Sequence, residues 1–171
     1  MKSLEKIFIM ALITGGILSK GCISNKISQK TPVVGEIENI WMEENIYEEG
    51  VKGVNIYTEF ILHNLDSLGE IPLGAIAYFY DSNLRPLRDM DGKYCTNLGN
   101  VSARSRRTHY FKDNSDKKEI RVFMPYNQLD LKKAGVYGLK VDVILWDLSG
   151  KNPRAIARSK LKNFEYYNIE N

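Results

Sequence analysis

The sequence predicts an all-β protein folded as a single antiparallel sandwich of seven or eight strands. Three observations carry this expectation. Between Val54 and Leu62 apolar and polar residues alternate with a period of two, as in a strand with one buried face. From Val33 onward, short runs rich in β-branched and aromatic residues are cut repeatedly by Gly, Asn and Asp. No long stretch follows the 3.6-residue period of an amphipathic helix. The chain has 171 residues, of which 43% are hydrophobic and 11% aromatic, enough apolar surface for one core. That composition excludes a disordered, collagen-like or polytopic membrane protein.

The amino-terminal stretch has a different texture. Lys2 and Lys6 precede the apolar run Ile7–Leu18, which has the length of a secretory signal and falls short of the roughly 20 residues a spanning helix needs. The run leads into Leu18-Ser19-Lys20-Gly21-Cys22. This resembles the lipobox of bacterial lipoproteins, with the small Gly21 directly before the cysteine. The leucine stands one position farther upstream than in that pattern, and Lys20 departs from it. The resemblance implies a signal peptide over residues 1–21 and a multiply acylated Cys22. It places the protein outside the cytoplasm, held to a membrane of the bacterial cell envelope through that lipid. One acyl chain binds a membrane only marginally, so stable attachment requires more than one. Residues 22–32 are polar and without period, as expected of a tether, and residues 33–167 form the domain, with 168–171 as a tail.

Within the domain, Val33–Met42 is expected as the first strand, with the acidic stretch Glu43–Gly50 as its connection to Val54–Leu62. Asn64–Gly69 is a turn. The following Gly74–Asp81 is apolar on both faces, which suggests a central strand covered on each side. Ser82–Gly99 is rich in turns, Asp91-Gly92 being a strong hairpin signal. Val101–Phe111 and Glu119–Met124 are two further strands. In Gly138–Trp146 the residues Leu139, Val141, Val143 and Leu145 point inward, while Ile144 and Trp146 point the other way. Arg154–Tyr167 is expected as a last single strand.

Two local patterns refine the fold. In Leu131–Val141, Gly135 supplies a tight turn and Tyr137 precedes the alternating Leu139, Val141 and Val143. This resembles the tyrosine corner of immunoglobulin-like sandwiches, in which a tyrosine bonds back to the backbone upstream of the penultimate strand. A C2-like sandwich has a similar strand list and is the alternative. Phe123-Met124-Pro125-Tyr126-Asn127-Gln128-Leu129-Asp130-Leu131 is the most distinctive string, with Pro125 ending one strand and Tyr126, Leu129 and Leu131 able to fold back as a plug. It resembles an F-M-P-Y-x-x-L-x-L segment of an uncharacterised bacterial β-sandwich family. That likeness implies a fold and an envelope setting, and no activity.

Charge and rare residues limit the chemistry. The formal charge is +3, but Lys2, Lys6 and Lys20 against Glu5 supply most of the excess, so the domain is nearly neutral. A broad basic surface for nucleic acid is therefore absent. The chain has two histidines and two cysteines, and no G-x-S-x-G, H-E-x-x-H or P-loop pattern. If Cys22 is lipidated, Cys95 is left as a free thiol; if it is not, a Cys22–Cys95 disulfide is open in an oxidising compartment. The most basic segment is Ala103–Lys112. On an unbroken strand Arg104 and Arg106 share one face while Arg107 and His109 share the other. These four are the candidate binding residues, since guanidinium groups fork onto carboxylates and phosphates. The same charges equally suit an edge strand guarded against unwanted pairing. Asp89-Met90-Asp91-Gly92 resembles the start of a calcium loop without its remaining ligands, and Asp81 is a candidate third ligand.

The sequence thus leads to a non-catalytic, membrane-tethered interaction module that needs no cofactor and has a protein or glycan partner in the envelope. An envelope hydrolase or carbohydrate-active domain is the alternative, and a calcium-dependent module built on Asp81, Asp89 and Asp91 is a lesser one.

Overall fold

The alternating segment around Val54 forms the middle of a three-stranded sheet. In the computed structural model, which describes residues 31–65, 69–113 and 116–169, β2 (Val51–His63) lies between β1 (Val34–Glu48) and β6 (Lys118–Pro125). It runs antiparallel to both. Val54, Ile56, Thr58, Phe60 and Leu62 are fully buried, as the alternation requires. The predicted signal peptide, Cys22 and nearly all of the tether lie outside the described residues.

The second sheet is centred on β3 (Ile71–Asp81) and β7 (Gly135–Asp147), paired antiparallel over their length. Two short strands, β4 (Ser102–Arg104) and β5 (His109–Phe111), follow one another along the free edge of β3. Two more, β8 (Arg154–Arg158) and β9 (Lys162–Asn168), do the same along β7. The only helical element among the described residues is a single 3-10 turn, Tyr126–Gln128. None of their helices is long and apolar enough to cross a membrane. All pairings are antiparallel, and the inner faces of both sheets share one core. Phe60 of the first sheet meets Phe111 of the second edge-to-face at 5.5 Å. Fully burying each such Leu, Ile or Phe stabilises the fold by about 1.5–3 kcal/mol.

Several expected boundaries move. β1 continues through the acidic stretch to Glu48, so the connection shrinks to Glu49-Gly50. Both turn residues have positive φ, 52° and 80°, which matches the twist of a two-residue hairpin. Asn45, also at positive φ, takes up a register shift in β1. The strands expected over 101–111 and 154–167 are each divided in two, which gives nine strands among the described residues. At the second break, Ser159 accepts from the amide of Val143 and donates its own amide to the Val143 carbonyl. The turn-rich segment 82–100 folds against the end of β3 through isolated bridges, such as Tyr80 with Pro86.

β3 also differs from expectation in what covers it. Its inward residues Ile71, Leu73, Ala75, Ala77 and Phe79 are buried in the core. The opposite face (Pro72, Gly74, Ile76, Tyr78 and Tyr80) is only half-buried, with no second layer of strands upon it among the described residues. Pro125 ends β6 as expected, and Tyr126 and Leu129 turn back into the core while Leu131 is half-buried. The Tyr137 hydroxyl donates to the carbonyl oxygen of Lys133 at 2.9 Å.

Candidate functional site

The break between β4 and β5 builds the site. Ile76 pairs with Arg104, and Leu73 pairs with His109. Two residues of β3 therefore face four residues of the opposing chain. Ser105 stays in the ladder, since its amide donates to the Ala75 carbonyl and its Oγ accepts from the Ala75 amide. Arg106 and Arg107 are the surplus and are expelled as a bulge. The bulge cancels the alternation expected of an unbroken strand, so Arg104, Arg106 and Arg107 all line the same groove.

That groove has a volume of about 690 Å³ and lies on the outer face of the second sheet. Such a volume is in the range of small-molecule sites. Gly74, Ile76 and Tyr78 of β3 form its floor with Trp146 of β7, and Leu98, Leu148 and Pro153 stand at its sides. Gly74 is directly opposite Trp146 in the ladder. A Cβ at position 74 would lie 3.2 Å from the Leu148 side chain, so the glycine keeps that corner open. The Trp146 indole N–H is turned toward the Tyr78 hydroxyl without closing a hydrogen bond to it. Burial raises the Tyr78 phenol above its ordinary value, while Arg104 beside it pulls the other way.

The three arginines are not equivalent. Arg106 reaches the β1–β2 hairpin, 2.7 Å from Glu49 and 3.2 Å from Glu48, with its guanidinium 5.7 Å from the Phe123 ring centroid. Glu48 in turn forms an ion pair with Arg121 at 2.9 Å. Arg106 therefore links the edge of one sheet to the other, and its charge is met. Among the described residues no carboxylate lies within ion-pair distance of Arg104 or Arg107. Among the described residues the lining of the groove contains no Asp or Glu.

The other sequence candidates lie elsewhere. His109 stands outside the groove lining, stacked on Phe111 at 6.3 Å. Burial first, and then the Arg107 charge, hold its imidazole below the ordinary 6.5. His63 lies on the first sheet, 3.5 Å from Glu36. Asp81 accepts from the amides of Asn83 and Arg85 and from the Arg85 guanidinium, closing its own turn. Asp91 is occupied by the amide and ammonium of Lys93. The Asp89 carboxylate beside Cys95 pushes that thiol up and disfavours the thiolate. Cys95 is free and half-buried. Among the described residues no three or more His, Cys, Asp or Glu side chains are grouped to hold a metal ion.

Sequence reasoning missed Gly74, Tyr78 and Leu98 as groove residues. The doubly apolar run of β3 was the available signal, because its second face is the groove floor. A second cleft of about 770 Å³ at the far end of the sandwich is lined by Tyr47, Tyr126 and Tyr167, with Lys52 and Lys132 set among Glu44, Asp130 and Glu165. It lacks the one-sided charge of the groove. Comparison with protein families, with curated proteins and with solved structures finds no match.

Proposed function

We propose that this chain is a non-catalytic binding module of the bacterial cell envelope, extracytoplasmic and held to a membrane by lipid on Cys22. Its ligand is anionic and enters the groove around Arg104 and Arg107. The observation that carries the reading is the groove's charge: three arginines and no carboxylate, with two of the arginines unpaired among the described residues. In a nearly neutral domain such a concentration of one sign focuses the field on a small cleft. The paired carboxylates of glycoside hydrolysis are not supplied by this groove, which supports binding over the hydrolase alternative.

The sandwich is of the immunoglobulin-like type in this proposal. Its support is the strand partition, with β1, β2 and β6 in one sheet and β3 and β7 at the centre of the other, together with the Tyr137–Lys133 hydrogen bond. Val33 and the groove's rim are joined through Arg154, which donates to the Val33 carbonyl and lies 3.5 Å from Asp147, beside Trp146.

Metabolic labelling with a fatty acid tests the anchor: wild type takes up label and Cys22→Ser does not. Cosedimentation of the purified chain with isolated envelopes tests the groove. The Arg104→Glu, Arg107→Glu double variant is expected to bind about tenfold more weakly or worse, and rising salt to weaken the wild type. Unchanged binding of the double variant would remove the groove from the proposal.

A further inference from the structure

We infer that the anion taken by the groove is an acidic glycan, a sugar chain carrying carboxylate or phosphate groups. This rests on the reading of the groove as an anion-binding site. Three features separate a sugar from the other acidic polymer it must be weighed against, an acidic peptide.

The first is the backbone of the floor. Gly74, Ala75 and Ile76 are already paired with Trp146, Leu145 and Ile144 on one side, and Ala75 exchanges both its backbone groups with Ser105 on the other. An extended peptide laid on this face finds no free ladder, so it cannot add there as a further strand as it does at an open sheet edge. A sugar ring has no such requirement. It needs a flat apolar surface for its C–H face and polar groups around its rim.

The second feature supplies that surface and rim. Trp146 and Tyr78 are half-buried and border the groove, while Thr96, Asn97 and Thr108 border it with neutral hydrogen-bonding side chains. Aromatic rings with one polar end suit a ligand that is apolar on a face and wet at its edge. The third feature is the pair of unopposed guanidinium groups, Arg104 and Arg107, whose planar forks match carboxylate and phosphate oxygens alike. A neutral glycan would leave both charges uncompensated beside it.

Titration calorimetry on the full chain in non-ionic detergent tests this. The probes are oligogalacturonate, its methyl ester, a phosphorylated mannan, and poly-glutamate matched in charge to the oligogalacturonate. Oligogalacturonate or the phosphorylated mannan is expected to bind about tenfold more tightly than the methyl ester and than poly-glutamate. Which of the two binds tells carboxylate from phosphate. Trp146→Ala and the Arg104→Gln, Arg107→Gln pair are each expected to reduce that binding by about tenfold, with Trp146→Phe retaining most of it. Thermal unfolding of each variant establishes that it is folded. Equal or tighter binding of poly-glutamate, with the same dependence on Arg104 and Arg107, overturns the glycan while leaving the anion groove intact. Equal binding of the methyl ester overturns the role of charge. If no probe binds the folded wild type at millimolar concentration, both readings are overturned.

Discussion

Tyr137 and Lys133 are joined by a hydrogen bond from the tyrosine hydroxyl to the lysine carbonyl, 2.9 Å long and spanning four residues. It closes the turn that leads into β7, the strand whose Leu139, Val141, Val143 and Leu145 supply much of the core. Tyr137→Phe keeps the ring and removes only this bond. The variant is expected to lose about 1 kcal/mol in urea unfolding without a change in the denaturant slope. An unchanged midpoint would show that the bond contributes nothing.

Glu48 lies between two arginines, 2.9 Å from Arg121 and 3.2 Å from Arg106, and its side chain is 12% exposed. Glu48→Ala leaves two cations facing one another over a half-buried site and is expected to cost about 2–3 kcal/mol. Arg106→Ala leaves Glu48 with Arg121, and Arg106 is itself half-exposed, so about 1 kcal/mol is expected. Chemical denaturation of the two variants checks the order. A greater loss for Arg106→Ala would contradict it.

Gly53 faces the Met124 carbonyl so closely that a Cβ would lie 2.4 Å from the oxygen and 2.5 Å from the Phe123 ring. Neither can yield cheaply, since the first is backbone paired in the β2–β6 ladder. Gly53→Ala is expected to destabilise by about 3 kcal/mol or to prevent folding, read from expression and thermal unfolding. A wild-type melting temperature would refute the packing of β2 against β6.

The lowered His109 imidazole makes stability depend on acid. Above its ordinary 6.5 the ring is neutral whether the chain is folded or not, and it imposes no charge burial. As pH falls below 6.5 the unfolded chain takes up a proton that the folded chain resists, so stability declines until the pH reaches the lower folded value. Denaturation followed from about pH 7.5 down to about pH 5, across the ordinary imidazole value, is expected to show less decline in His109→Gln than in wild type. A steeper decline in the variant would contradict the burial argument.

Much of this fold is legible in the sequence because one face of most strands is dry. Alternation places Val54–Leu62 and Leu139–Leu145 correctly, and Pro125 marks the end of β6. What alternation does not reveal is a bulge. Ser105 and Ser159 keep their ladders through side-chain bonds that replace a regular pairing, and nothing in their hydrophobic pattern announces it. That is why three arginines expected on two faces line one groove.

The acidic stretch Glu43–Glu49 misleads for a different reason. Its carboxylates are taken up by partners remote in sequence, Arg106 and Arg121 above all, so charge that suggests a loop belongs to a strand. The groove floor was visible in β3 as an apolar second face, but a covered strand and an exposed concave one have the same composition. Only the register of Gly74 against Trp146 separates them.

The most direct measurement is a nuclear magnetic resonance titration of the folded chain with an acidic oligosaccharide, following backbone amides and the Trp146 indole. The account predicts shifts at Gly74, Ser105, Arg107, Thr108 and the indole, abolished in the Arg104→Glu, Arg107→Glu variant. Shifts confined to the far cleft around Tyr47 and Tyr167, or shifts that persist in the double variant, would contradict it.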